Sequence, residues 1–256
     1  MCGGELRIVD RNVSLAPCPV PTGTAARRAT LFVLGGRKPE RAWLADFASR
    51  NAEEVWAVDA GAAACRSVSI APDAVIGDMD SADSADWDWA LACGAREFRH
   101  PADKDRTDFQ LALDLWKQGP TDGCGVPVAT GCFGGRTDHL FSVADSLGGV
   151  CGSFGTFGCM LDEMEGLAFL PSGGSLELCF FEIPAAVSLL SMSEACSGVG
   201  VSGVHWPLDD AELRRGLPWA VSNRALPSGD GAVVRARCGE GVLGVYWCME
   251  TMEGRK

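Results

Sequence analysis

A chain of 256 residues is long enough for one large domain or two modest ones, and its 47% apolar and 22% charged residues are ordinary for a globular protein. The net charge of −12 argues against a nucleic-acid-binding surface and against adhesion to anionic membranes. A phosphate ligand stays possible, because a divalent metal ion can invert the local field.

The cysteine pattern favours a reducing compartment. None of the 12 cysteines are spaced C-x-x-C and the three histidines are scattered, so a zinc site is not expected. Many cysteines lie within apolar runs, where they act as small hydrophobes, and we expect a cytoplasmic protein. No apolar run is long enough to span a membrane. Residues 1–29 lack the apolar core of a signal peptide and are predicted to be a poorly ordered extension.

Residues 30–165 alternate between predicted strands and helices. The predicted strands are Thr30–Leu34, Val55–Val58, Ala74–Gly77, Arg96–Arg99 and Val126–Thr130, and the predicted helices are Pro39–Arg50, Asp83–Cys93, Phe109–Gln118 and Thr137–Leu147. This order predicts a mostly parallel α/β sheet, in which ligands bind beyond the carboxyl ends of the strands. Asp59, Asp78, Asp80, Asp105 and Arg136 lie at or after predicted strand ends, so they are expected along one crevice.

Residues 166–256 have a different pattern, with short apolar segments separated by Gly, Ser and Pro. The spacing of these segments predicts an all-β sandwich domain. One polar stretch, Asp209–Arg215, is predicted to be a helical insertion.

Charged residues crowd at the predicted start of the fourth helix. Thr107 and Gln110 form a capping box, which also accounts for Asp108. Capping does not explain Asp103 and Asp105. Two carboxylates about 4 Å apart repel by roughly 1–4 kcal/mol, so a site that gathers them usually holds a cation.

The segment Gly77–Ser81 carries two aspartates, Asp78 and Asp80, in a loop at a strand end. A polar turn that caps the next helix would have the same composition. Joined to Asp59 and Asp105, the pair favours a site for Mg²⁺, which takes one or two carboxylates together with phosphates and water.

A third motif, Gly134–His139, lies between a predicted strand and a predicted helix. Arg136 offers a bidentate fork to a phosphate group. Asp138 and His139 each have two interpretations. They either contact a ligand or are ordinary residues of a first helical turn.

Together these motifs resemble those of the thiamine pyrophosphokinase (thiamine diphosphokinase) family. The resemblance rests on three signatures in order and spacing, Gly77–Ser81, Lys104–Asp108 and Gly135–His139. It extends to Gly203–Leu208 and to the Ser222-Asn223 pair, and covers about residues 30–250. It implies a Rossmann-like α/β domain followed by a C-terminal β-sandwich, in a homodimer that binds thiamine near the subunit interface.

The resemblance also implies a role for each matching residue. Asp78, Asp80 and Asp105 would hold Mg²⁺, with Asp59 close by. Lys104 and Arg136 would contact the phosphates of ATP. Thr107, Asp108, Asp138 and His139 would complete the ATP site. Trp206 would stack on the aminopyrimidine ring of thiamine, and Ser222 and Asn223 would bind it by hydrogen bonds. As one of eight tryptophans, Trp206 could instead belong to a core.

The expected reaction transfers pyrophosphate from ATP to the hydroxyl group of thiamine, giving thiamine diphosphate and AMP. The expected catalytic residues are Asp78, Asp80, Asp105 and Arg136. Two alternatives stay open, a diphosphokinase acting on another alcohol such as a hydroxymethylpterin, and a non-catalytic thiamine or nucleotide sensor. The chain departs from the family pattern at Ala60-Gly61, where Gly-Gly is common, and in its N-terminal extension.

Overall fold

The structure is a computed structural model that describes residues 8–9, 12–18, 29–78, 84–101, 105–119 and 125–249. Asp80, Asp103 and Lys104 lie outside these ranges. The chain is a mixed α/β protein that divides into two compact units. We call Arg27–Ser146 with Met160–Asp162 the α/β unit. The β unit comprises the described residues within Met1–Ala26, Leu147–Cys159 and Glu163–Lys256.

The N-terminal segment contributes two strands to the β unit, β1 (Ile8–Val9) and β2 (Val13–Cys18). All six residues of β2 pair antiparallel with a later strand, Ser175–Phe180. The expectation of a poorly ordered extension is therefore wrong for these residues. Val13 and Leu15 are completely buried, which explains why so short a segment is held.

The α/β unit contains the alternating elements that the sequence predicts, with two additions, the helix Gly61–Ser67 and the strand Gly158–Leu161. The last helix and this strand belong to the unit only in part, since it comprises Arg27–Ser146 and Met160–Asp162. In chain order the elements are β3 (Ala29–Val33), α1 (Arg41–Asn51), β4 (Ala52–Val58), α2 (Gly61–Ser67), β5 (Ala74–Gly77), α3 (Ser84–Ala92), β6 (Arg96–Arg99), α4 (Asp108–Lys117) and β7 (Val126–Thr130), followed by α5 (Thr137–Phe154) and β8 (Gly158–Leu161). Strands β7, β3, β4, β5 and β6 pair in that order, and every pair is parallel. Their carboxyl ends therefore share one edge.

Apolar faces of helices pack on this sheet as their spacing predicts. Helix α4 buries Phe109, Ala112, Leu113 and Trp116. The Phe109 ring meets Phe32 of β3 edge to face at 5.6 Å between centroids, and Phe32 meets Trp56 of β4 in the same way at 5.5 Å. These aromatic contacts fix α4 against the sheet, and so position the start of α4 beside the carboxyl ends of the strands.

The β unit holds the remaining strands. They are β9 (Glu165–Leu170), β10 (Ser175–Phe180), β11 (Ala186–Ser191), β12 (Ala195–Ser202), β13 (Leu208–Arg214), β14 (Pro227–Ser228), β15 (Gly231–Arg237) and β16 (Leu243–Cys248). One sheet has the order β1-β2-β10-β15-β12-β13, with β14 paired to β15. Strands β11, β16 and β9 pair antiparallel with one another in that order. Phe180 of β10 meets Trp247 of β16 at 6.2 Å, so side chains of the two strand groups share a core.

The prediction of a helical insertion at Asp209–Arg215 is wrong, because this stretch forms strand β13. It pairs only with β12 in the sheet order, and the pairing contains two register shifts. Most of its side chains are exposed, so the stretch lacks the alternation that marks a half-buried strand. Among the described residues, no helix is both long and apolar enough for a membrane span.

Candidate active site

Three carboxylates meet at the carboxyl ends of β4 and β5. Asp59 follows β4, Asp78 follows β5 and Asp108 is the first residue of α4. Each offers one oxygen atom, and these oxygens all lie within 4.8 Å of one another, on half-buried side chains. Such a group of negative charges is repulsive by itself, and hard oxygen donors at this spacing suit a divalent cation.

Local backbone geometry brings Asp59 into this cluster. Asp59 has a positive φ of 50°, its N–H donates to the Ile76 carbonyl at 2.8 Å, and its carbonyl accepts from Ala62 at 3.3 Å. Gly77 leaves the space for the carboxylate, since a Cβ at this position would lie 2.3 Å from Asp59 Oδ1. Gly77 therefore makes room for the carboxylate of Asp59, which follows the adjacent strand β4.

The start of α4 brings in Asp108. The predicted capping box is confirmed, because Thr107 Oγ1 accepts from the Gln110 N–H at 3.3 Å and Gln110 Oε1 accepts from the Thr107 N–H at 3.1 Å. The cap engages the Thr107 hydroxyl and orients the first helical turn. Asp108, expected among the ATP contacts, thus joins the acidic cluster.

Asp105, expected as a metal ligand, stands apart from that cluster in the described structure. It is exposed in the loop before the cap, two residues ahead of Thr107. Its neighbour Arg106 forms an ion pair with Asp114 of α4, which lies eight residues further along the chain. The roles of Asp105 and of Asp80, which is not described, stay predictions.

The Gly134–His139 motif forms an exposed rim at the end of β7. Gly134 and Gly135 both have positive φ, 69° and 68°, and lead directly into α5. Arg136 donates two hydrogen bonds to Asp138, at 3.2 and 2.6 Å. This bidentate contact lowers the pKa of the Asp138 carboxyl and raises the pKa of Arg136. The side chains are largely exposed, 73% for Arg136 and 63% for Asp138, so an incoming phosphate can replace the carboxylate.

A second arginine at this edge was not singled out from the sequence. Arg37 follows β3, its N–H donates to the Phe133 carbonyl at 2.8 Å, and its guanidinium pairs with the buried Asp162 at 2.5 Å. The available signal was a repeated pattern, since Gly-Gly-Arg follows a buried strand twice, at Gly35–Arg37 and at Gly134–Arg136.

In the β unit, Trp206 borders an apolar groove. Its side chain is 52% exposed, so the interpretation as a core tryptophan is wrong. The groove has a volume of about 410 Å³. Its lining consists of Val187, Leu189, Val201, Trp206, Leu208, Trp219, Ala220, Val221 and Asn223.

Asn223 holds the loop that carries Trp206. Its Oδ1 accepts from the Trp206 N–H at 3.1 Å and its Nδ2 donates to the Trp206 carbonyl at 2.7 Å. Ser222 has a positive φ of 58°, and its N–H donates to Ser188 Oγ at 2.9 Å. Arg224 lies over the Trp206 ring, 5.0 Å from its centroid. The residues expected to bind thiamine thus lie together, and the Asn223 side chain holds the backbone of Trp206 by hydrogen bonds.

The carboxylate cluster and the two arginine-bearing glycine loops lie at the carboxyl ends of parallel strands. This arrangement in an α/β fold is typical of metal-dependent enzymes that act on phosphates. Residues 47–149 match the family model described as thiamin pyrophosphokinase, catalytic domain. This match, over about two fifths of the chain, agrees with the family that the sequence motifs resemble. All three cluster aspartates lie within the matched residues.

Solved structures with the same fold include several thiamin pyrophosphokinases. The enzyme from Bacillus subtilis superposes with a TM-score of 0.71 at 20% identity, covering 88% of this chain and 100% of its own. That from Geobacillus thermodenitrificans gives a TM-score of 0.64 at 23% identity, covering 87% and 99%. The yeast enzyme gives 0.67 at 13% identity, covering 91% and 90%. No curated protein sequence matches the chain.

Proposed function

We propose that the chain is a thiamine diphosphokinase, which transfers a pyrophosphoryl group from ATP to the hydroxyl of thiamine and releases AMP. The observation that carries this proposal is the family match over residues 47–149, which encloses the cluster of Asp59, Asp78 and Asp108. We also infer that the α/β unit is the Rossmann-like catalytic domain, and that the β unit is the sandwich that binds thiamine.

The acidic cluster fits Mg²⁺ by the chemistry of its donors. Three carboxylate oxygens within 4.8 Å of one another are hard ligands that can share one small cation. Asp59, Asp78 and Asp108 would hold the ion. Asp80 and Asp105 stay predicted as further ligands, although Asp105 is exposed on the loop outside the cluster. When bound, the ion would neutralise charge on the phosphate oxygens of ATP.

Positive side chains are needed because both the protein and ATP are strongly negative. Arg136 would exchange its contact with Asp138 for a phosphate, and Lys104 would contribute a second charge. Thr107 would act through its cap on α4, while Asp138 and His139 would border the same rim. Catalysis then consists mainly of holding the thiamine hydroxyl in line with the β-phosphorus and stabilising charge on the phosphate oxygens.

Thiamine would bind in the groove of the β unit. The exposed face of Trp206 provides a stacking surface for the aminopyrimidine ring, and Asn223 fixes the backbone of that loop. Ser222 lies next to Asn223 and would contribute polar contacts. A mostly aliphatic lining with few polar groups is typical of small-molecule sites.

A homodimer with thiamine near the subunit interface is part of the same proposal. Its support is the exposure of two apolar side chains, Val221 in the groove lining and Leu226 three residues after Asn223, which are both 46% exposed. We also propose a cytoplasmic location, since the nine cysteines whose side chains the structure describes are free thiols.

Calorimetry with thiamine, with and without Mg-ATP, combined with detection of AMP, tests the proposal. A thiamine diphosphokinase should bind thiamine and release AMP only when both substrates are present. Binding of thiamine without AMP formation would indicate a sensor. AMP formation with a hydroxymethylpterin, but not with thiamine, would assign the chain to the other diphosphokinase class.

A further inference from the structure

A second tryptophan, Trp219, lines the same groove as the residues that the family motifs assign. Trp219 is 56% exposed, slightly more than Trp206, and both indoles belong to the groove lining. Exposed apolar side chains that cluster along a groove, as these two indoles do, are typical of a ligand-binding site.

The backbone beside Trp219 is fixed, so its side chain is presented in a defined place. The Leu189 N–H donates to the Ala220 carbonyl at 2.8 Å, and Val187 and Asn223 exchange two backbone hydrogen bonds of 2.9 and 2.7 Å. The segment thus runs along β11 as an added strand. Trp219 precedes its first hydrogen-bonded residue, at the rim of the groove.

The groove offers ring faces and aliphatic side chains rather than hydrogen bonds. Asn223 supplies most of its side-chain polarity, and both ends of that amide already bind the backbone of Trp206. Recognition in such a groove depends on the shape and charge of a flat ring, and indole faces bind flat cations best among the aromatic side chains.

We propose that Trp219 is a specificity-determining residue, which forms with Trp206 the two aromatic walls that hold the ring system of thiamine. This inference rests on the proposed function. Trp219 lies outside the residues that the sequence motifs single out. Its contribution is to substrate selection, because its indole recognises a planar, positively charged heterocycle by its face.

The test compares Trp219→Ala, Trp219→Phe and the matched control Leu217→Ala, which removes a neighbouring side chain that is 64% exposed and is not part of the groove lining. Trp206→Ala serves as the positive control. For each variant, the dissociation constant of thiamine is measured by calorimetry, and the KM values for thiamine and ATP from AMP release.

Trp219→Ala should weaken thiamine binding roughly fivefold or more and raise the thiamine KM by a similar factor, with the ATP KM changed by less than about twofold. Trp219→Phe should keep binding within about threefold, since a ring face is preserved. Leu217→Ala should behave as the wild type. The neutral aminopyrimidine alcohol should lose less affinity than thiamine in Trp219→Ala, because it lacks the cationic ring.

Equal thiamine affinity in Trp219→Ala and wild type would overturn the inference, as would an equal rise in the KM for ATP. Loss of binding accompanied by dissociation in sedimentation would also overturn it, by making Trp219 an interface residue. If the wild type binds thiamine but forms no AMP, the proposed function fails while the binding comparison still decides on Trp219. A wild type that does not bind thiamine would refute both.

Discussion

Asp78 supplies one of the three carboxylates of the acidic cluster, with an oxygen within 4.8 Å of those of Asp59 and Asp108. Asp78→Asn should reduce AMP formation by roughly 100-fold or more at saturating Mg²⁺. Without metal, the variant should melt at a higher temperature than the wild type, since one repulsive charge is removed. The measurements are AMP release and thermal unfolding with a chelator.

Asp88→Asn is the matched control for this variant, since Asp88 is exposed on α3 and lies outside the cluster. It should leave both quantities unchanged. If Asp78→Asn kept more than half of the wild-type activity, the metal site would be wrong.

Gly77 tests whether the space beside Asp59 is needed. Gly77→Ala would place a methyl group 2.3 Å from Asp59 Oδ1, so the carboxylate must move. We expect a loss of about 1–3 kcal/mol in the free energy of unfolding and a higher Mg²⁺ requirement for AMP formation. Urea unfolding and a Mg²⁺ titration measure these effects.

Gly149→Ala provides the comparison, because a Cβ at this helical position meets nothing within 4 Å. It should stabilise α5 by about 0.5–1 kcal/mol without changing the Mg²⁺ requirement. An unchanged Mg²⁺ requirement in Gly77→Ala would show that the position of Asp59 is not critical.

At the scale of an element, the cap of α4 connects folding to the site. Thr107→Ala removes the acceptor for the Gln110 N–H and should cost about 1 kcal/mol of stability. Because the cap orients the turn that carries Asp108, AMP formation should fall as well. Thr107→Ser keeps the hydroxyl, and should restore both the melting temperature and the activity. Failure of the serine variant to restore activity would favour a direct role of Thr107 in binding ATP.

Cys65, which is buried on helix α2, should make the free energy of unfolding depend on pH. Burial raises the pKa of Cys65 from 9.0 to about 12. Between these values the unfolded state has lost the thiol proton and the folded state has kept it, so stability falls as pH rises above about 9. The loss contributed by Cys65 should approach about 1.4 kcal/mol per pH unit. Below pH 9 its contribution should be constant.

Urea unfolding at pH 8 to 10.5 checks this prediction. The slope of stability against pH should be shallower in Cys65→Ala than in the wild type, whatever the cost of the cavity at pH 8. Cys93→Ala, at an exposed cysteine, should keep the wild-type slope. Identical slopes in Cys65→Ala and the wild type would show that Cys65 ionises normally in the folded protein.

Elements whose local signals agree with their packing could be predicted from the sequence. The buried strand β7 and the capped helix α4 combine strong periodicity with clear ends. Helix α5 was predicted to end at Leu147, but continues to Phe154. Gly148 and Gly152 break the helical signal, and both are needed for packing, since a Cβ would meet Phe169 at 3.3 Å and Val242 at 2.7 Å.

Within the candidate site, the strand-end positions of Asp59 and Asp78 followed from the alternation of strands and helices. The inclusion of Asp108 could not be predicted, because capping alone explains an aspartate at that position. The hydrogen bonds between the Asn223 side chain and the Trp206 backbone could not be predicted either. They join residues 17 positions apart, which no local pattern reveals.

At the scale of the molecule, the main departure from expectation is that the β unit begins before the α/β unit in the chain. Strand β2 pairs along its whole length with β10, although Val13 and its partner Phe180 lie 167 positions apart in the sequence. The lack of a long apolar run in residues 1–29 had suggested a poorly ordered extension. The buried side chains of Val13 and Leu15 supply the compensating hydrophobic stabilisation.

Leu15→Ala tests whether β2 is an integral part of the β unit. Leu15 is completely buried and pairs with Leu178 of β10, so truncation should cost about 2–5 kcal/mol in the free energy of unfolding. Leu217→Ala removes the same atoms from an exposed site and should change stability by less than about 0.5 kcal/mol. Urea unfolding of both variants makes the comparison. Wild-type stability in Leu15→Ala would mean that β2 is not packed into the β unit, and that the N-terminal segment is the dispensable extension that its composition suggests.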